Sequence, residues 1–198
     1  MNLRELLLLV LVGWTAVGAA GIMISLMRHE RPKAVRHSIW ILSVWVLYMA
    51  VLVAVSTTQP QKVVALGNDQ CFDEMCFAVT GMQELSGYLI QDGSHLVRVS
   101  VRISNRGKKK AQSEPLLQAY LIDKQGRKWA ESTAVSGVQL TARVAAGDSV
   151  ISQPVFRVAK DATGLGLIFT HGQRQPGVLV IGDSDSLFHK RTLGCLGR

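Results

Sequence analysis

The sequence predicts an all-β antiparallel sandwich preceded by a two-helix transmembrane hairpin. Three observations carry this expectation. Two long uncharged apolar runs stand near the start, the hydrophobic period changes to two after residue 59, and turn-forming residues separate short apolar segments from there on.

From Leu6 to Met27 there are 22 residues without a charge, and from Ile39 to Val55 there are 17 more. As helices they reach roughly 33 and 26 Å, against a hydrocarbon core of about 30 Å, and Ser38, Ser56 and Thr57 can lengthen the second. The stretch between them, "RHERPKAVRH", carries Arg28, Arg31, Lys33 and Arg36, whereas the outer flanks offer only Arg4 and Lys62. Basic residues resist translocation, so the connection, residues 28–38, is expected in the cytoplasm. Residues 1–58 then form the hairpin, with spans at 6–27 and 39–55. Both termini and a domain at 59–198 lie outside the cytoplasmic membrane. The alternative makes the first run a cleaved signal peptide ending near "VGAAG", although the run exceeds the roughly 7 to 15 apolar residues usual there. In the first span Ala16 and Ala20, and Gly21 and Ser25, have small-xxx-small spacing, which allows close helix packing onto the second span or onto another copy.

In "LVRVSVRISN", residues 96–105, Val97, Val99, Val101 and Ile103 alternate with Arg98, Ser100, Arg102 and Ser104. That is the pattern of a strand with one face on a core and one face wet. Further strands are expected at Val63–Leu66, Cys76–Gln83, Leu116–Ile122, Lys128–Glu131, Val150–Val158, Leu165–Thr170 and Val178–Ile181. Asn105-Arg-Gly and Asp123-Lys-Gln-Gly supply turns between them. Seven or eight short strands without a convincing amphipathic helix indicate a sandwich.

The runs "LVRVSVRISNRGKKK", "LLQAYLIDKQGRKW", "LTARVAAGDSVISQPVFRV" and "GLGLIFT" resemble the immunoglobulin-like (telokin-like) extracytoplasmic domain of uncharacterised bacterial membrane proteins and lipoproteins. The resemblance covers roughly residues 62 to 182. It implies an all-β immunoglobulin-like antiparallel sandwich, and it carries no functional residue over, because the family has no agreed site. This chain departs from the lipoproteins in using two apolar spans instead of a lipid-bearing cysteine.

Net charge is +8, of which residues 1–58 contribute +3 and residues 59–198 contribute +5. So mild a spread fits the neighbourhood of a membrane or an anionic polymer and does not argue for nucleic acid. In an oxidising compartment "QCFDEMCF" reads best as a Cys71–Cys76 disulfide closing a small loop. Cys195 makes the count odd and is either free or an alternative partner. A metal site would have to recruit His95, His171 or His189 from distant segments, and the spacing is not that of zinc motifs. No cofactor is expected.

The tail "GDSDSLFHK" holds Asp183, Ser184, Asp185, Ser186 and His189, and is similar to the Gly-Asp-Ser nucleophile motif of a hydrolase family. Such residues seldom converge into a triad from so short a segment, and a polar turn is the better account. "NRGKKK" sets Arg106, Lys108, Lys109 and Lys110 in one loop tip. These could contact an anionic surface or simply stay solvated and discourage edge aggregation.

The function these features lead us to expect is a non-enzymatic, membrane-anchored envelope protein presenting its sandwich to a protein or ligand. An accessory subunit of a transport or sensing complex, interacting through the hairpin, is the alternative. A homo-oligomer is compatible with either.

Overall fold

Residues spaced alternately three and four apart share one side of a helix, so each long run can present such a side to the other. The computed structural model describes residues 3–85, 93–132, 137–171, 176–183 and 185–196. Helices α1 (Leu3–Met27) and α2 (Arg31–Thr58) run antiparallel, with Leu8, Leu11, Thr15, Gly18, Ile22 and Ser25 on the covered side of α1. A Cβ at Gly18 would come within 2.7 Å of the Ile41 Cδ1, so a larger residue there would force the Ile41 side chain to shift. Trp45 Nε1 donates to Thr15 Oγ1 at 3.0 Å, and Thr15 in turn donates to the Leu11 carbonyl, which leaves these polar atoms paired between apolar surfaces.

The connection is shorter than the sequence expectation of residues 28–38. Only Arg28–Glu30 separate the helices, with His29 at φ 59°, and α2 already begins at Arg31. Pro32 causes the difference. Its fixed φ and missing N–H suit a first helical turn, where the orphan donor would have no partner anyway.

The β-domain contains ten strands among the described residues: β1 (Val63–Val64), β2 (Asp69–Phe72), β3 (Met75–Leu85), β4 (Ser94–Asn105), β5 (Gln118–Ile122), β6 (Lys128–Ala130), β7 (Ser149–Ser152), β8 (Val155–Ala159), β9 (Gly166–Thr170) and β10 (Leu193–Cys195). One sheet has the order β1-β10-β9-β5-β6. The other has β2-β3-β4-β7, with β8 also on β4. All pairings between these strands are antiparallel except β1 with β10, which makes the sandwich mostly antiparallel.

Alternation on β4 decides the interior. Val97, Val99, Val101 and Ile103 are buried and join Phe77, Val79, Leu121, Leu167 and Phe169 in one core, with Phe77 and Phe169 meeting at 5.6 Å from opposite sheets. On β3 the core residues are first Met75, Phe77 and Val79 and then Met82. A register shift between Val79 and Gly81 explains the change, since one extra residue reverses which side chains face inward.

Three expectations are corrected. The apolar run Val178–Ile181 is not a strand: a 3-10 helix occupies Pro176–Leu179 and a turn follows. Val150–Val158 is two strands, because Gln153-Pro154 interrupts a ladder in which proline cannot donate. The short strands β2 and β10 lay outside the expected set. By compactness the chain separates into one unit of Met1–Pro60 with Gln173–Lys190 and another of Gln61–Gly172 with Arg191–Arg198.

Phe77→Ala should cost the sandwich about 3–5 kcal/mol in equilibrium unfolding, through lost burial and the cavity left behind. Ile151→Ala, at a position 58% exposed, should stay within about 0.5 kcal/mol.

Candidate functional site

The β4 strand continues its inward alternation one step further than its hydrophobic residues, and that step places Asn105 in the buried interior. A buried amide must be paired. Its Nδ2 donates to the Lys110 carbonyl at 2.9 Å and to the Val144 carbonyl at 3.0 Å, while its Oδ1 accepts from the Gly107 N–H at 2.8 Å. One side chain thereby closes the loop after β4. Gly107 is buried within it, and a Cβ there would meet Asn105 Oδ1 at 2.8 Å and Glu74 Oε2 at 2.6 Å.

The same loop holds the basic residues singled out in the sequence. Lys108, Lys109 and Lys110 are all exposed and consecutive on the tip. Arg106 is committed differently. Its Nη2 reaches Asp69 Oδ2 at 2.5 Å, and Arg102 reaches the other oxygen of that carboxylate at 3.2 Å. Two arginines from the β4 side thus clamp β2, and Glu74 adds a hydrogen bond from the Gln112 amide. Three solvated lysines remain as a cationic tip on a scaffold that ion pairs and Asn105 hold still.

Cys71 and Cys76 form a disulfide and face each other across the β2–β3 hairpin as register partners. The Cys71 end is exposed and the Cys76 end fully buried. Cys195 is a free, half-buried thiol. The remaining singled-out residues are dispersed. His95 lies 3.8 Å from Glu84, and His171 lies 3.1 Å from Glu114 with its ring edge against Phe72. Among the described residues no three His, Cys, Asp or Glu side chains gather as a metal would require.

In the tail, Ser184 lies outside the described residues. Ser186 meets the Ser56 hydroxyl at 3.0 Å, and His189 Nδ1 is 3.4 Å from the Ser56 carbonyl, so both side chains have partners on α2. On α1, Ala16 and Ala20 are exposed, Gly21 is half-buried and Ser25 is buried.

A second feature was not visible in the sequence. A cleft of about 390 Å³ is lined by Leu117, Glu131, Ser132, Gln139, Thr141 and Gln153, among others. Glu131 is exposed as a residue, and partial desolvation of its carboxyl raises its pKa from the ordinary value. Its lining comes from segments far apart in the chain, and none of them carries a recognisable motif. Elsewhere on the sandwich Asp123 builds the β5–β6 turn, accepting from the N–H groups of Gln125 and Arg127 and from Arg127 Nε. Burial alone would raise its pKa, but the bonds from Arg127 outweigh that and hold the carboxyl below its usual range.

No protein family is matched by the sequence, and no curated protein is matched either. Among solved structures the chain is similar to an uncharacterised β-sandwich protein from Clostridium difficile, at 12% identity over 70% of this chain and 96% of that one, with a TM-score of 0.44. It is also similar to the secreted protein MPT63 from Mycobacterium tuberculosis, at 7% identity, 70% and 99% coverage and a TM-score of 0.46. A third similarity is to the yjhA protein from Bacillus subtilis, at 15% identity, 67% and 98% coverage and a TM-score of 0.43.

Removing the Asn105 amide takes the partner from the Gly107 N–H and the Lys110 carbonyl, while the Val144 carbonyl keeps the Gln112 N–H, and each buried orphan costs about 1–3 kcal/mol. A disulfide spanning so short a loop contributes only about 2 kcal/mol. Asn105→Ala should therefore destabilise the sandwich more than replacing both Cys71 and Cys76 with alanine. It should also speed hydrogen exchange at Gly107, which the double cysteine variant should leave slow.

Proposed function

We propose that this chain is an integral protein of the cytoplasmic membrane, held by a two-helix transmembrane hairpin, with both termini and the β-sandwich on the extracytoplasmic side. On this account the sandwich is an immunoglobulin-like, non-enzymatic binding module for a protein or ligand of the cell envelope. The observation that carries the proposal is the surface of the helices. Both are long and apolar enough to cross a membrane, with mean hydropathy 2.3, yet only 6% of the apolar window of α1 and 11% of that of α2 is buried by protein. A core helix of a water-soluble protein hides such a surface, whereas Val17, Leu42 and Leu47 here stand open.

Two further features support the orientation. Arg28, Arg31, Lys33 and Arg36 gather at the tight turn between the helices, which favours the cytoplasm for that turn. The Cys71–Cys76 disulfide favours an oxidising compartment for the sandwich. Among the described residues, the lysine tip and the cleft beside Glu131 offer a partner charge and polar shape.

A second function draws support from α1. Ala16 and Ala20 are exposed, so a small-residue strip is available to another membrane helix, as an accessory subunit of a transport or sensing complex or a second copy would use it.

Alkaline carbonate extraction should leave the full chain in the membrane pellet. Release into the supernatant would contradict the hairpin. Crosslinking in native membranes then separates the two functions: adducts that persist when Ala16, Ala20 and Gly21 are changed to leucine, and disappear with lysine-tip or Glu131 variants, support the sandwich as binding module. The reverse pattern supports the hairpin.

A further inference from the structure

The segment after the sandwich's last long strand departs from the sequence expectation most, and its packing has consequences for a protein in a bilayer. Tyr48 lies seven residues inside Val55, the end of the apolar run of α2, which is roughly 10 Å at the helical rise. Its hydroxyl donates to the Leu179 carbonyl at 2.6 Å. Side chains on a helix lean towards its N-terminus, which here is the direction away from Thr58, so the bonded carbonyl sits no shallower than Tyr48 itself. Ile181 and Leu187 pack on Leu11, Tyr48 and Leu52, and Ser186 and His189 contact Ser56 two turns nearer the helix end. The segment therefore descends along α2 from the level of Ser56 to that of Tyr48.

Backbone placed at such a depth has little water to satisfy it and must pair its own polar groups. This segment does so for part of its backbone. The N–H of Val180 donates to Gly177, of Asp183 to Val180, of Ser186 to Asp183, of Leu187 to Val178 and of His189 to Ser186. The Asp185 N–H is taken by the Asp183 carboxylate. Tyr48 caps the Leu179 carbonyl, and the Arg4 guanidinium caps that of Gly182 at 2.6 Å.

Two large apolar side chains nevertheless point away from the helices. Leu179 is 36% and Phe188 67% exposed. Phe188 is held at φ 63°, a left-handed conformation that a bulky residue adopts at a cost. A strained backbone that presents an aromatic ring outward, next to Lys190, has the composition of an interfacial anchor.

We infer that residues 177–183 and 185–189 form a third membrane-contacting element, which dips into the outer leaflet beside the hairpin and inserts Leu179 and Phe188 among the lipids at the interface. Its occupant is the bilayer itself, because the two exposed side chains adjoin the open apolar surface of the helices, Leu179 at the depth Tyr48 defines and Phe188 nearer the level of Ser56. The inference rests on the proposed transmembrane hairpin.

Spin labels test both and keep them apart. In a Cys195→Ser background with the disulfide intact, single cysteines are placed at Phe188, Leu42 and Ile151, and the chain is reconstituted into phosphatidylcholine nanodiscs. Collision with oxygen reports lipid, and collision with a water-soluble nickel chelate reports solvent. The expected result is a shift towards oxygen at 42 and, less deeply, at 188, with 151 favouring nickel; Leu179→Cys should follow 188. If 42 favours oxygen while 188 and 179 behave like 151, the inference falls and the hairpin stands. If 42 favours nickel, both fall.

Discussion

Val97, Val99, Val101 and Ile103 are each no more than 1% exposed, and they stand on a strand that exchanges hydrogen bonds with β3, β7 and β8. Three of the other strands of that sheet therefore take their register from β4. Each of these side chains contributes about 2 kcal/mol by burial, and a slip of one residue would turn all four to solvent at once. Asn105 sharpens the constraint. It occupies the next inward position, and the loop beyond β4 is arranged so that its amide meets the Lys110 and Val144 carbonyls and the Gly107 N–H. In a shifted register the Gly107 N–H and the Lys110 carbonyl would lose that partner, and the Val144 carbonyl would be left with the Gln112 N–H alone.

The surface at that end of the strand follows from the same register. Arg102 on β4 and Arg106 just beyond it converge on Asp69, which docks β2 against the sheet, and the exposed lysines project from the loop that Asn105 closes. The Cys71–Cys76 bridge adds closure to a hairpin that already pairs. Its short loop makes it a small term beside four buried apolar side chains. Its value lies in what it implies about the compartment, since disulfides persist where the surroundings oxidise.

Legibility tracks how local the determining physics is. The alternation on β4 and the two apolar runs could be read directly, because each is set by the near neighbours of a residue. The strands β2, "DQCF", and β10, "LGC", could not, since they are defined by partners elsewhere: β10 pairs with β1 across about 130 residues of chain. The run "VLVI" has strand composition, yet it lies in a 3-10 helix and turn from which Ile181 packs against Tyr48 and Leu52 of α2. Asn105 was legible as a turn residue and its burial was not, although the parity of β4 pointed to it. For the candidate site, the basic tip was evident in sequence and the cleft beside Glu131 was not, because its walls meet only in the fold.

The central claim is that the hairpin places a disulfide-bearing sandwich outside the cytoplasmic membrane. It is tested most directly by treating intact cells with a membrane-impermeant thiol reagent, before and after an impermeant reductant, and reading the mass of the peptide containing Cys71 and Cys76. Cys71 is exposed, so the bridge is within reach of both reagents. The account predicts no label before reduction and labelling of the exposed Cys71 after it. Labelling that requires lysis, on thiols already free, would put the sandwich in the cytoplasm and contradict the topology on which the proposed function depends.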